Sequence, residues 1–128
     1  MQINAIQLPP VLSECCAAAG CAPNLVGHEV HLDLQGTPAG MVYRCEGMGD
    51  MLYVYFDLGY PEDRKLSRKL LELNASITPP ANGYYAIDPV LESVIYRVNV
   101  PLASVSDGAT LHRALCTLAK NAARAMND

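Results

Sequence analysis

Five cysteines and three histidines are the residues whose types could carry chemistry: Cys15, Cys16, Cys21, Cys45 and Cys116, with His28, His31 and His112. Cys15, Cys16, Cys21, His28 and His31 fall within one short stretch and invite a zinc reading. Zinc sites bring their ligands in CxxC-like pairs that form a rigid knuckle, and no such pair occurs here. Cys15 and Cys16 are adjacent and leave a helix about 100° apart, a poor geometry for one tetrahedral ion. His28 and His31 fall on opposite faces of an alternating segment. No metal is expected, and the cysteines read as small apolar side chains of a helix core. A Cys–His catalytic pair needs only proximity in space, but nothing local marks any thiol as activated. The carboxylates Asp33, Glu46, Asp57, Asp88 and Glu92 are scattered singly, as solvated strand faces and turns place them. Gly47-Met48-Gly49-Asp50 is too short for a phosphate loop and leads into a strand, not a helix. The chain therefore reads as a binding protein rather than an enzyme, with no cofactor.

The elements that position these residues follow from periodicity. Pro10 opens a helix over Val11 to Ala19, with Leu12, Cys15, Cys16 and Ala19 on one stripe and Gly20 as its stop. His28 to Leu34 alternates, with Val30, Leu32 and Leu34 on one face and Glu29, His31 and Asp33 on the other. Gly36 to Gly40 reads as a turn, Met41 to Cys45 as a second strand and Gly47 to Asp50 as another turn. Met51 to Leu58 is the strongest strand, with Tyr53, Tyr55 and Asp57 opposite Leu52, Val54, Phe56 and Leu58. These three strands predict an antiparallel meander. A second helix is expected from Pro61 to Ala75, with Leu66, Leu70 and Leu73 on its stripe and Leu71 widening it. Its other face carries Arg64, Lys65, Arg68 and Lys69, a solvated surface with Glu72 four residues after Arg68. Thr78 to Gly83 breaks it. Tyr84–Ile87 and Val94–Val100 are two further strands about an Asp88-Pro89 break. A last helix, Asp107 to Met126, capped by Ser106 or Asp107, turns Leu111, Leu115, Leu118, Ala122 and Met126 to the core. Residues 1–8 read as a strand or a disordered lead.

The fold expected is α+β: an antiparallel sheet of about five strands with three helices, in the order α-β-β-β-α-β-β-α, as a single domain over residues 1–128. At 128 residues and 51% hydrophobic composition the chain can bury roughly two-thirds of its unfolded surface. A net charge of −4 and pI of about 5.2 argue against general nucleic-acid binding. An odd cysteine count with irregular spacing points to a reducing cytoplasm. Ala18-Ala19-Gly20-Cys21 looks like a lipoprotein cleavage box, but no cation precedes Arg44, Pro9-Pro10 interrupts the run and Glu14 lies inside it, which argues against an export signal. No apolar run reaches the ~18 residues of a membrane span.

This order resembles the class I type III secretion chaperones, the Tir chaperone (CesT-like) family. The residues that carry the resemblance are Leu52 to Gly59, the Leu70-Leu71-Glu72-Leu73-Asn74 run, Tyr85-Ala86-Ile87-Asp88-Pro89, and Val94 to Leu102 ending in Val100-Pro101-Leu102. The similarity is a diffuse profile over roughly residues 9 to 126. Helix 1 departs from it, being short and rich in Ala and Cys, and Pro89-Val90-Leu91-Glu92-Ser93 replaces a usually glycine-bearing turn. The resemblance implies a bacterial cytoplasmic homodimer, without ATP use, that wraps the N-terminal chaperone-binding segment of a secreted effector and holds it non-globular for export. An extended segment would add to a sheet edge while alternate side chains enter apolar patches; Val30, Leu32, Leu34, Met41, Tyr43, Tyr53 and Tyr55 are the candidates, with plain core the equal alternative for Val30, Leu32 and Leu34. The resemblance places the dimer contact on Leu66, Leu70, Leu73, Ile95 and Tyr96. The alternative is a small non-secretory regulatory or structural homodimer on the same scaffold.

Overall fold

The structure, a computed structural model, describes residues 9–20, 24–26, 29–46, 49–60, 64–75 and 83–127. The expectations for residues 1–8, for Cys21 and His28, for the Pro61-Glu62-Asp63 helix start and for residues 76–82 lie outside them. The element order is α1 (Pro10–Ala18), β1 (Asn24–Val26), β2 (Glu29–Leu34), β3 (Thr37–Glu46), β4 (Gly49–Asp57), α2 (Leu66–Asn74), β5 (Tyr84–Asp88), β6 (Ser93–Pro101), a 3₁₀ turn (Leu102–Ser104) and α3 (Gly108–Asn127). The strands form one antiparallel sheet in the order β1-β2-β3-β4-β6-β5. The α+β architecture is the one expected, with β1 as an additional three-residue edge strand.

The β2–β3 connection is tighter than the glycine-rich string suggests. Only Gln35 and Gly36 turn, both at positive φ (54° and 97°), the two-residue geometry that matches strand twist. Asp33 secures it by accepting from the Gly36 N–H at 2.9 Å. Thr37 to Gly40 therefore belong to β3, held by pairing to β2 and, from Ala39 onward, to β4.

Register divides the sheet into two faces. Val30, Met41, Val54 and Val98 are successive cross-strand partners, as are Ala39, Phe56, Tyr96 and Tyr85. This face is buried under α1 and α3, with Leu12, Cys15, Cys16, Leu111, Leu115, Ala119, Ala122 and Met126 completing one hydrophobic cluster. Tyr96 stacks on Phe56 and tilts against Tyr85, and the Tyr85 hydroxyl donates to the Ala122 carbonyl at 2.7 Å. Leu118 and Ala19, expected in the core, are half-buried at its margin. On the opposite face Glu29, His31, Val42, Tyr53 and Tyr55 are half-buried, and Arg44, Arg97 and Asn99 exposed.

The join between α1 and α3 depends on a glycine. A Cβ on Gly108 would run into the Glu14 Cβ and the Cys15 backbone, so only a bare α-carbon lets the helices meet. The Gly108 N–H donates to Glu14 Oε1 at 2.9 Å, and Asp107 Oδ1 accepts from the Thr110 N–H at 2.7 Å. Two of the orphan donors at the start of α3 are thus satisfied, and the Thr110 bond holds the Asp107 carboxyl below its ordinary range. Glu14, a charge inside an otherwise apolar run, finds its purpose here.

The described part of α2 is shorter than its leucine pattern suggests. Arg64 and Lys65 form a turn before the helix begins at Leu66. Leu66 and Leu70 are buried and Leu73 half-buried, but Leu71 is 69% exposed and does not widen the stripe inward. Of the four cations Arg64, Lys65 and Arg68 are exposed as expected and Lys69 is half-buried, with Arg68 paired to Glu72 at 3.0 Å.

Candidate polypeptide-binding surface

The sheet has two edges, and they differ. On β5 the main chain of Tyr85 is already occupied: its N–H donates to Asn74 Oδ1 at 2.7 Å, and its carbonyl accepts from Asn74 Nδ2 at 2.9 Å. One asparagine side chain at the end of α2 thus substitutes for a strand neighbour, a way of blunting an edge. At the other edge β1 spans Asn24–Val26 and pairs only with Glu29 to His31. The outer side of β2 from Leu32 to Leu34 has no strand partner among the described residues.

The helix-free face is lined by tyrosines and arginines. Gly40, Tyr55, Arg97 and Tyr84 are successive cross-strand partners on β3, β4, β6 and β5, and Val42, Tyr53 and Asn99 form the next row. A Cβ on Gly40 would collide with the Tyr55 ring, so glycine lets that ring lie flat on the sheet. Its hydroxyl then donates to Glu29 Oε2 at 3.2 Å, which also bonds His31 Nε2 at 2.8 Å. A groove of about 220 Å³ runs between Glu29, Tyr53, Tyr84 and Arg97.

The candidate binding residues divide between the two faces. Val30, Leu32, Leu34 and Met41 are at most 7% exposed: they point into the helix-covered core, the alternative already open for Val30, Leu32 and Leu34, and form no accessible patch. Tyr43 is half-buried, with its hydroxyl donating to Asp50 at 3.0 Å. It lies on the core face, because its partner is Leu52. Tyr53 and Tyr55 are the candidates that line the open face. The dimer candidates need a similar correction. Leu66, Leu70, Ile95 and Tyr96 are all buried within one subunit. Ile95 and Tyr96, being consecutive strand residues, face opposite sides. Of the five, Leu73 alone is half-buried. The exposed large apolar residues are others: Leu71 on α2, Tyr84 and Ile87 on β5, Val90 and Leu91 in the β5–β6 turn, and Tyr60. Arg44, Arg97, Tyr84 and Asn74 were also missed. Arg97 and Asn99 alternate with Val98 and were readable as outward-facing, whereas the role of Asn74 depends on a contact between α2 and β5 that no local pattern encodes.

The cysteines hold no reactive arrangement among the described residues. Cys15 and Cys16 are fully buried in α1. Cys116 Sγ lies 3.5 Å from His112 Nε2, the one cysteine–histidine pair brought together there, and burial pushes its thiol up, away from the lowered range of an activated cysteine. No group of three or more metal-ligating side chains occurs among the described residues. Among the described residues no helix is long and apolar enough to cross a membrane.

Burial and the neighbouring Glu29 carboxylate push the Tyr55 phenol up to about 12, and burial does the same to Tyr85. A phenol whose folded value exceeds its unfolded value of 10.0 stabilises the fold fully below pH 10, and that contribution is lost as pH rises toward 12. Stability followed by urea unfolding is therefore expected to fall across this window. Tyr85→Phe should lose about 1 kcal/mol near neutrality and show a shallower alkaline decline; an unchanged alkaline slope would count against the assignment.

The fold defined by this sheet and its helices is shared with chains of two solved protein complexes. One similar structure is the HopA1–SchA chaperone–effector complex, 14% identical, TM-score 0.56, over 86% of this chain and 85% of the other. A second is the heterodimeric ExoU–SpcU complex from the type III secretion system of Pseudomonas aeruginosa, 19% identical, TM-score 0.58, over 91% of this chain and 95% of that one. No family model and no curated protein matches the sequence.

Proposed function

We propose that the chain is a class I type III secretion chaperone that binds the N-terminal chaperone-binding segment of an effector and keeps it non-globular for export. The observation that carries this reading is the fold likeness to a chain of a chaperone–effector complex and to a chain of a type III secretion heterodimer, over most of the lengths compared. Three features support it. The outer side of β2 beyond β1 offers main-chain groups for an added strand. The helix-free face offers tyrosines and a groove for its side chains. Leu71, Ile87, Val90 and Leu91 leave apolar surface on α2 and the β5–β6 hairpin, elements that pack together, and we assign that surface to a C2 homodimer. The protein would act in the cytoplasm, with neither cofactor nor nucleic acid.

Co-expression with the N-terminal segment of a candidate effector tests the reading. The expected result is a soluble complex containing two copies of the chain for each effector segment, as a C2 dimer with one cargo requires. A segment that stays insoluble or is degraded equally with and without the chain would overturn it. A dimer indifferent to every effector segment would favour the regulatory or structural homodimer instead.

A further inference from the structure

The open face of the sheet carries a local imbalance of charge. Arg44 and Arg97 are both exposed, and neither pairs with a carboxylate among the described residues, whose ion pairs are His31–Glu29 and Arg68–Glu72. The strand acids whose side chains the structure describes are already engaged. Glu29 accepts from Tyr55 and bonds His31, Asp50 accepts from Tyr43, Asp57 from the Gly59 N–H, and Asp88 from the N–H groups of Val90 and Leu91.

The two arginines line one groove of about 290 Å³ with Val42 and Tyr53. Arg44 sits over the Tyr53 ring at 5.9 Å from its centroid. Arg97 stands two residues from Asn99, the β6 partner of Tyr53. The groove thus has an aromatic and aliphatic floor between two guanidinium groups. Guanidinium is weakly hydrated, stacks on aromatic faces and binds carboxylate in a fork. On a chain of net charge −4, such a strip draws acidic polypeptide to one place while the rest of the surface repels it.

Resting on the chaperone reading above, we infer that this strip selects the cargo: it takes an extended segment whose one face, made of every second residue, carries acidic and apolar side chains in turn. A carboxylate binds at the guanidinium of Arg44 or of Arg97, which flank Tyr53 in the register, and the next side chain on the same face of the extended segment, about 7 Å along, covers Tyr53. The partner is defined by this chemistry.

The probes are two synthetic peptides, one repeating glutamate-serine-leucine-serine, so that glutamate and leucine share one face when extended, and one with glutamine in place of each glutamate, titrated into isotope-labelled protein and followed by NMR. The glutamate peptide is expected to shift the amides of Val42, Tyr53 and Arg97. Affinity should fall about tenfold or more for the glutamine peptide and for R44Q/R97Q, the loss expected when charge-assisted bonds are removed. R64Q/R68Q, an equal loss of charge near α2, should bind as the parent does. Equal affinity for both peptides, full binding by R44Q/R97Q, shifts confined to another surface, or binding of neither peptide would overturn the inference. A changed oligomeric mass in R44Q/R97Q would assign the strip to a second copy of the chain and overturn it too. If the co-expressed effector segment still forms its soluble complex with R44Q/R97Q at parental affinity, charge selection falls while the chaperone reading stands. If the parent chain forms no such complex, the chaperone reading itself falls.

Discussion

Leu71→Asp is expected to dissociate the proposed dimer into folded monomers, whereas Leu70→Asp, one residue away, destroys the fold. Leu70 is 5% exposed and Leu71 69% exposed. An aspartate at position 70 removes a buried aliphatic side chain, worth about 2–5 kcal/mol, and strands a carboxylate in an apolar setting at further cost. The sum rivals the roughly 5–15 kcal/mol total stability of a domain. An aspartate at position 71 meets water, so the subunit keeps its stability to within about 0.5 kcal/mol, but it introduces a charge on each side of a two-fold contact. Light scattering and circular dichroism separate the outcomes: half the mass with an unchanged spectrum for Leu71→Asp, aggregation or loss of helical signal for Leu70→Asp. A Leu71→Asp protein that remains dimeric would move the contact away from α2.

Gly108→Val carries the second large effect. The added side chain would meet both the Glu14 side chain and the Cys15 backbone, and backbone cannot step aside by changing rotamer. Overpacking of this kind costs about 3 kcal/mol, a fall in Tm of roughly 10 °C for a chain of this size. The Gly108 N–H to Glu14 bond would be lost with it. Ala109→Val is the control, because Ala109 is exposed and should stay within about 0.5 kcal/mol. Equal melting temperatures for the two variants would contradict the close approach of α1 and α3.

Much of the fold was legible because its elements are periodic. The alternation of β2, β4 and β6 and the stripes of α1 and α3 set those elements to within a residue or two. What periodicity cannot say is which of two faces will be covered. Val30, Leu32, Leu34 and Met41 read as a possible surface and proved to be core, because their register partners Ala39 and Val54 lie under the helices. Tyr53 and Tyr55 belong to the other side. The Thr37-Pro38-Ala39-Gly40 segment has poor strand propensity and reads as a turn; neighbouring strands impose its extended form. β1 is too short to show alternation at all. The cationic pair Arg44 and Arg97 stands far apart in sequence and comes together only through β4 between their strands.

The Asn74 clamp on Tyr85 makes the two flanks unequal. Tyr85 is one of the residues whose main chain points away from the sheet at that flank, and its donor and acceptor are spoken for. A strand aligning with β5 would forfeit that pair of bonds at Tyr85, so on the proposed function the β2 flank is the favoured one, and pairing of subunits or surplus polypeptide along β5 carries an added cost.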